Sequence, residues 1–173
     1  PVGRVLHRQL EALSRGLVAV KANTGVFISW RLFQSEVNGC NATGLTGTDF
    51  VLYKNGVRLA AVTDSTNYLD AQGTNEDTYA VAPLVNGVEG PACRGVKPWQ
   101  KGYYELPLQK PADGVTPAGQ PFTYHANDMS VGDIDGDGEY EYFVKWDPDN
   151  SHDVSIKGYT GRCFIDCYKL DGT

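Results

Sequence analysis

No run in this 173-residue chain approaches the roughly 18 uninterrupted apolar residues that a membrane-spanning helix requires, so a membrane is not expected as a partner. Basic residues are too few and too scattered to form a patch interleaved with aromatics, and the formal net charge is −6. An acidic surface repels phosphate backbones, which argues against nucleic acid. The three histidines, His7, His125 and His152, lie far apart and never at i,i+4, giving little support to a histidine-based metal or catalytic site. Neither a G-x-S-x-G nucleophile turn nor a phosphate-binding P-loop occurs. Charge at 21% beside 41% apolar residues also excludes a disordered chain. Methionine occurs once and not at position 1, and no signal sequence opens the chain. The start reads as a mature or trimmed end.

What is present points to β structure outside the cell. Twenty Gly, nine Pro and ten Tyr with recurring Thr and Val are a β-rich composition. Asn41-Ala42-Thr43 is an N-glycosylation sequon, and four cysteines permit two bridges. Free calcium is also abundant outside cells, where weak sites fill. A secreted, extracellular protein is therefore expected.

Short apolar or alternating runs at 17–20, 26–32, 49–53, 58–63, 78–84 and 103–108 predict strands. Turn signals separate them: Asn23-Thr24-Gly25, Lys54-Asn55-Gly56 and Val85-Asn86-Gly87. Asn55-Gly56 between two apolar triplets predicts a hairpin, because a type I′ turn needs positive φ at both central residues. About half a dozen such strands fit a β-sandwich of the immunoglobulin or fibronectin kind. The stretch 7–14 has helical propensities but no clean N-cap, and is expected to be strand or irregular. Cys40 and Cys93 both sit in Gly-rich stretches and could pair. Cys163 and Cys167 would lie about 13 Å apart on an extended strand, too far for a mutual bridge.

Beyond Lys110-Pro111-Ala112-Asp113-Gly114 the texture changes, and the prolines and glycines of 111–123 read as a linker. Strands are expected at 124–131, 140–146 and 162–170, with a polar loop over 147–161. Two or three strands cannot bury both faces alone, so this second part is expected to be incomplete.

Between the first two of these strands lies Asp133-Ile134-Asp135-Gly136-Asp137-Gly138-Glu139-Tyr140-Glu141. Carboxylates at alternate positions of a tightly curled loop point to one centre, and Gly138 stands where the chain must turn sharply. Asp133, Asp135, Asp137 and Glu141 supply side-chain oxygens and Glu139 its backbone carbonyl, a donor set suited to Ca2+. Magnesium prefers octahedral geometry with retained waters, and zinc would want Cys or His. The competing interpretation is a solvated acidic turn, which mutual repulsion of the carboxylates opposes. The loop lacks the final Glu of an EF-hand and runs into a strand, so its expected role is structural. Lys145, Asp147 and Asn150 are candidates for contact with an acidic sugar, although a strand lysine more often pairs with a carboxylate. Trp30, Trp99 and Trp146 could stack on sugars, but core positions are commoner.

The chain also resembles a known family. Arg8-Gln9-Leu10-Glu11, Arg15-Gly16-Leu17-Val18-Ala19-Val20, Ser29-Trp30-Arg31-Leu32 and Ser65-Thr66-Asn67-Tyr68-Leu69-Asp70 resemble the opening of family 11 rhamnogalacturonan lyases. Pro107-Leu108-Gln109-Lys110-Pro111, Ala126-Asn127-Asp128, the acidic loop, Lys145-Trp146-Asp147-Pro148, Gly158-Tyr159-Thr160-Gly161 and Tyr168-Lys169-Leu170-Asp171-Gly172-Thr173 continue the match in order. The resemblance implies an all-β protein: a fibronectin III-like sandwich over 1–110, the linker 111–123, and over 124–173 the first blade of a calcium-clipped, eight-bladed β-propeller. It implies β-elimination at galacturonate in the rhamnogalacturonan I backbone of pectin, with the catalytic residues and later blades outside these residues. The partners implied are that pectic polysaccharide and the remainder of the same polypeptide. A longer stretch at 37–47 and cysteines at 163 and 167 depart from the family pattern. A non-catalytic, calcium-stabilised carbohydrate-binding or adhesive β module is the alternative.

Overall fold

A computed structural model describes residues 11–42, 44–63, 65–171 and 173. The described chain is all-β apart from one 3-10 turn, Gln34–Glu36. No helix among the described residues is long and apolar enough to cross a membrane. Contacts divide the described residues into two units: Leu13–Tyr104, and Glu105–Thr173 together with Glu11 and Ala12. Of 7–14, residues 7–10 lie outside the described residues, and 11–14 have no regular structure.

The Leu13–Tyr104 unit contains β1 (Val18–Ala22), β2 (Gly25–Ser29), β3 (Val37–Asn41), β4 (Gly44–Gly47), β5 (Asp49–Lys54), β6 (Val57–Val62), β7 (Asn67–Asp70), β8 (Tyr79–Val85) and β9 (Val88–Glu89). One sheet has the order β1-β2-β7, a second β6-β5-β8-β9, and β3 pairs with β4. Alternate residues of both larger sheets enter a single core: Ala19, Val26 and Ile28 from the first, Phe50, Leu52, Tyr79 and Val81 from the second. Trp30 closes that core edge-on to Phe50, with ring centroids 5.4 Å apart. The predicted Asn-Gly hairpin is formed: Asn55 has φ 52° and Gly56 φ 76°, which suits the right-handed twist of β5 and β6. Asn86 and Gly87 repeat the device between β8 and β9, with φ 50° and 79°.

A partly buried ionic cluster ties β5, β7 and the approach to β8. The Lys54 ammonium lies 2.8 Å from Asp70 and 3.3 Å from Asp77. The buried Tyr79 hydroxyl donates to Asp70 at 2.8 Å, and Asn55 donates to Asp77 at 2.7 Å. The backbone N–H of Thr74, then Asn55, hold the Asp77 carboxyl down at about 2. Burial works to raise Asp70, but hydrogen bonds from Lys54 and Tyr79 outweigh it and lower its pKa.

Two expectations are corrected in this unit. The run 103–108 forms no strand: it straddles the boundary between the units, and Pro107 cannot donate to a ladder. Cys40 and Cys93 are not bridged, and all four cysteines are thiols. Cys40 sits on an exposed arm of the β3–β4 hairpin, whereas Cys93 packs against the core and hydrogen-bonds Val81. The long stretch at 37–47 is that hairpin, with Asn41 of the sequon at its turn and Thr43 outside the described residues.

In the second unit, β10 (Gly114–Val115) and β11 (Pro121–Phe122) form a short hairpin within the stretch read as linker. After it come β12 (Tyr124–Gly132), β13 (Glu141–Pro148) and β14 (Phe164–Tyr168), one antiparallel sheet in that order. The outer sides of β12 and β14 have no partner strand among the described residues. Tyr124, Val144, Trp146 and Tyr168 are buried together, with Leu106, Phe122 and Tyr142 packed against them. The Trp146 indole donates to Asp166 at 2.8 Å, satisfying its polar edge inside the core. Trp30 and Trp146 are thus core residues, as their apolar surroundings in the sequence suggest.

Candidate metal centre

Gly132, the last residue of β12, pairs with Glu141, the first of β13, so the intervening loop is closed at its base by the sheet. Within it, each early aspartate accepts hydrogen bonds from backbone N–H groups farther on. Asp133 Oδ1 accepts from Gly136 at 2.8 Å and Oδ2 from Gly138 at 3.0 Å. Asp135 Oδ1 accepts from the Asp137 N–H at 3.1 Å, and Asp137 Oδ1 from Glu139 at 2.9 Å. This curl needs positive φ at two places, met by Gly136 (77°) and Gly138 (90°). Glu141 is only 3% exposed and accepts from the Ile134 N–H at 2.9 Å.

The outcome is a convergence of carboxylates. Asp133, Asp135 and Glu141 each place one oxygen within 4.8 Å of the others, a group that could hold a metal ion. A wholly oxygen donor set fits a hard cation, and a carboxylate as buried as Glu141 gains from a counter-charge. Asp137 and Glu139 are not in that group: Asp137 Oδ2 faces Lys169 at 3.3 Å, and Glu139 is exposed. Lys169, just beyond β14, also reaches Asp135 Oδ2 at 2.5 Å. The ammonium holds the Asp135 carboxyl below the usual range, and the two aspartates raise the lysine. Sequence spacing could not reveal Lys169, because only the β13–β14 pairing brings it to the loop.

Lys145 and Asp147, near the far end of β13, form an ion pair at 3.1 Å. Asn127 donates to the same Asp147 oxygen at 2.8 Å, and the Cys163 thiol approaches the other at 3.4 Å. The hydrogen bond from Lys145 lowers Asp147, while burial and then Asp147 raise the Cys163 thiol. Asn127 lies where the β12–β13 register shifts between Ala126 and Met129, and such a bulge re-aims side chains. Neither it nor Cys163 carries a local sequence signal for this placement. Asn150 does not contact this group in the hydrogen-bond pattern; its Oδ1 accepts from Gly161 at 3.0 Å, and its Nδ2 is buried without a partner.

Family models match almost end to end. Residues 8–99 match the β-sheet domain of rhamnogalacturonan I lyases, and 103–173 the C-terminal domain of rhamnogalacturonan lyase family 11. Rhamnogalacturonan endolyase YesW of Bacillus subtilis (strain 168) is 52% identical over 167 residues, covering 96% of this chain and 26% of that protein. Rhamnogalacturonan exolyase YesX of the same organism is 49% identical over 168 residues, again 96% and 26%. The crystal structure of YesW superposes with a TM-score of 0.87 at 50% identity, over 96% of this chain and 27% of that one. A Bacillus licheniformis rhamnogalacturonan lyase gives the same TM-score, identity and coverage. The chain therefore spans about a quarter of the length of the relatives it matches.

Proposed function

The chain belongs to rhamnogalacturonan lyase family 11, and from that premise we propose that it is the N-terminal portion of a secreted, calcium-dependent lyase acting on the rhamnogalacturonan I backbone of pectin. The reaction is β-elimination at galacturonate. A base takes the C5 proton, the bond at O4 breaks, and an unsaturated sugar remains. Charge building on the galacturonate carboxylate needs an opposing positive group. No catalytic base is assigned to these residues; it belongs to the remainder of the polypeptide. Identity to an endolyase and to an exolyase is nearly equal, 52% and 49%, and favours neither internal nor terminal cleavage.

This segment's part is architectural, with the sugar met at one edge. Two sheets of three and four strands around one core support a fibronectin III-like sandwich over 1–110. The lone β12-β13-β14 sheet supports 124–173 as the start of a propeller, joined through 111–123. Asp133, Asp135 and Glu141, with Asp137 and the Glu139 carbonyl, would hold calcium, which when bound ties the turn to both strands beneath it. Asp147, oriented by Lys145 and Asn127, is the residue placed to accept hydrogen bonds from sugar hydroxyls, and Lys145 the one placed to meet a uronate. Asn150 shapes the adjoining loop, its Oδ1 accepting from the Gly161 N–H while its Nδ2 is buried.

The observation that carries the proposal is the 96% coverage at 50% identity together with the converging carboxylates. The test is ultraviolet detection of unsaturated product from rhamnogalacturonan I, using the polypeptide that carries this segment, before and after chelation. Product that disappears with chelator and returns with calcium supports it. Binding of the polysaccharide without any product, by a chain that has no further blades, favours the carbohydrate-binding module instead.

A further inference from the structure

A cation already sits on the acidic loop, and the chain itself supplies it. The Lys169 ammonium bridges Asp135 Oδ2 and Asp137 Oδ2, at 2.5 and 3.3 Å. The opposite oxygens of these two carboxylates are taken by backbone N–H groups of the loop. The lysine thus holds the oxygen of each aspartate that the loop backbone leaves open. Its origin is fixed: the Lys169 N–H donates to the Thr173 carbonyl at 2.7 Å, directly after β14. Its head rides on a flexible four-carbon stem and can leave without disturbing the sheet.

Resting on the calcium-loop proposal, we infer that Lys169 is the loop's resident counter-cation, which a divalent cation must displace to gain Asp137 as a ligand. The lysine relieves carboxylate repulsion when no metal is bound and keeps the end of β14 tied to the β12–β13 turn. It also weakens the site, because a unit positive charge a few ångströms from a doubly charged ion opposes binding by about tenfold even in high dielectric. The loop then fills only where calcium is plentiful.

The experiment is calorimetric titration of the full chain with calcium at low ionic strength, for wild type, Lys169→Met, Lys169→Arg and Asp133→Asn, with thermal melts in chelator. The expected result is about tenfold tighter binding for Lys169→Met, near-wild-type affinity for Lys169→Arg, and a lower metal-free melting temperature for Lys169→Met alone of those two. Unchanged or weaker binding by Lys169→Met, while wild type binds and Asp133→Asn does not, overturns the role given to the lysine and leaves the calcium site standing. Absence of calcium binding by wild type overturns the site and this inference with it.

Discussion

The two units hold charge in opposite ways. Leu13–Tyr104 pairs its buried carboxylates internally: Asp70 and Asp77 share Lys54 and are hydrogen-bonded by Tyr79, Asn55 and Thr74. Glu105–Thr173 gathers Asp133, Asp135 and Glu141 at one centre with a single lysine at the rim. Their apolar cores differ in the same sense, ten buried residues in the first cluster against four in the second. A unit with a larger core and paired carboxylates has less to gain from a ligand. One with a small core and unmatched carboxylates gains most from a ligand that binds only the folded form.

That contrast can be broken at its weak side first. Trp146→Ala removes the largest residue of the small core, at a cost of about 3–5 kcal/mol. Limited proteolysis should then cut within 105–173 while 13–104 stays resistant; equal loss in both units would show that they stand or fall together. Next in size, calcium at about a hundredfold its dissociation constant should add about 2.7 kcal/mol to the second unit only. Hydrogen exchange with and without chelator checks this, and protection gained in β5 or β8 would contradict it.

The self-contained unit has its own weak point. Lys54→Met leaves Asp70 and Asp77 without their cation and should cost about 2 kcal/mol, less than a fully buried pair because the lysine is partly solvated. The same cluster sets acid sensitivity. Both carboxylates are held below their ordinary value of 3.8, Asp77 at about 2, so the unfolded chain binds protons first as pH falls. Their stabilisation is complete above about pH 4 and fades between there and about pH 2. Acid unfolding followed through β5 and β8 should show that window, and Lys54→Met should move the loss to higher pH. The smallest effect is expected from Cys163→Ser, within about 0.5 kcal/mol, since the residue is exposed and its hydroxyl can still donate to Asp147.

The sequence reveals these features unevenly. Asn55-Gly56 demands a tight hairpin by its dihedral preferences alone, and the acidic loop declares itself because its aspartates and glycines are neighbours. Trp146 is recognisable by alternation along β13. By contrast β3 and β4 carry Val37-Asn38-Gly39-Cys40-Asn41 and Gly44-Leu45-Thr46-Gly47, mostly exposed and without apolar periodicity, so their pairing leaves no pattern to read. The run 103–108 has the composition of a strand but no ladder partner. Lys169 and Asn127 reach their sites through strand register and a bulge, which are properties of pairing and not of spacing.

The open side of β14 has a practical consequence. It presents backbone groups with no partner strand among the described residues, flanked by Ile165, 72% exposed, and Phe164, 42% exposed. Such an edge is a template for another copy of itself. Separated from further blades, this segment should therefore self-associate as its concentration rises, and its sedimentation and light scattering would climb with concentration.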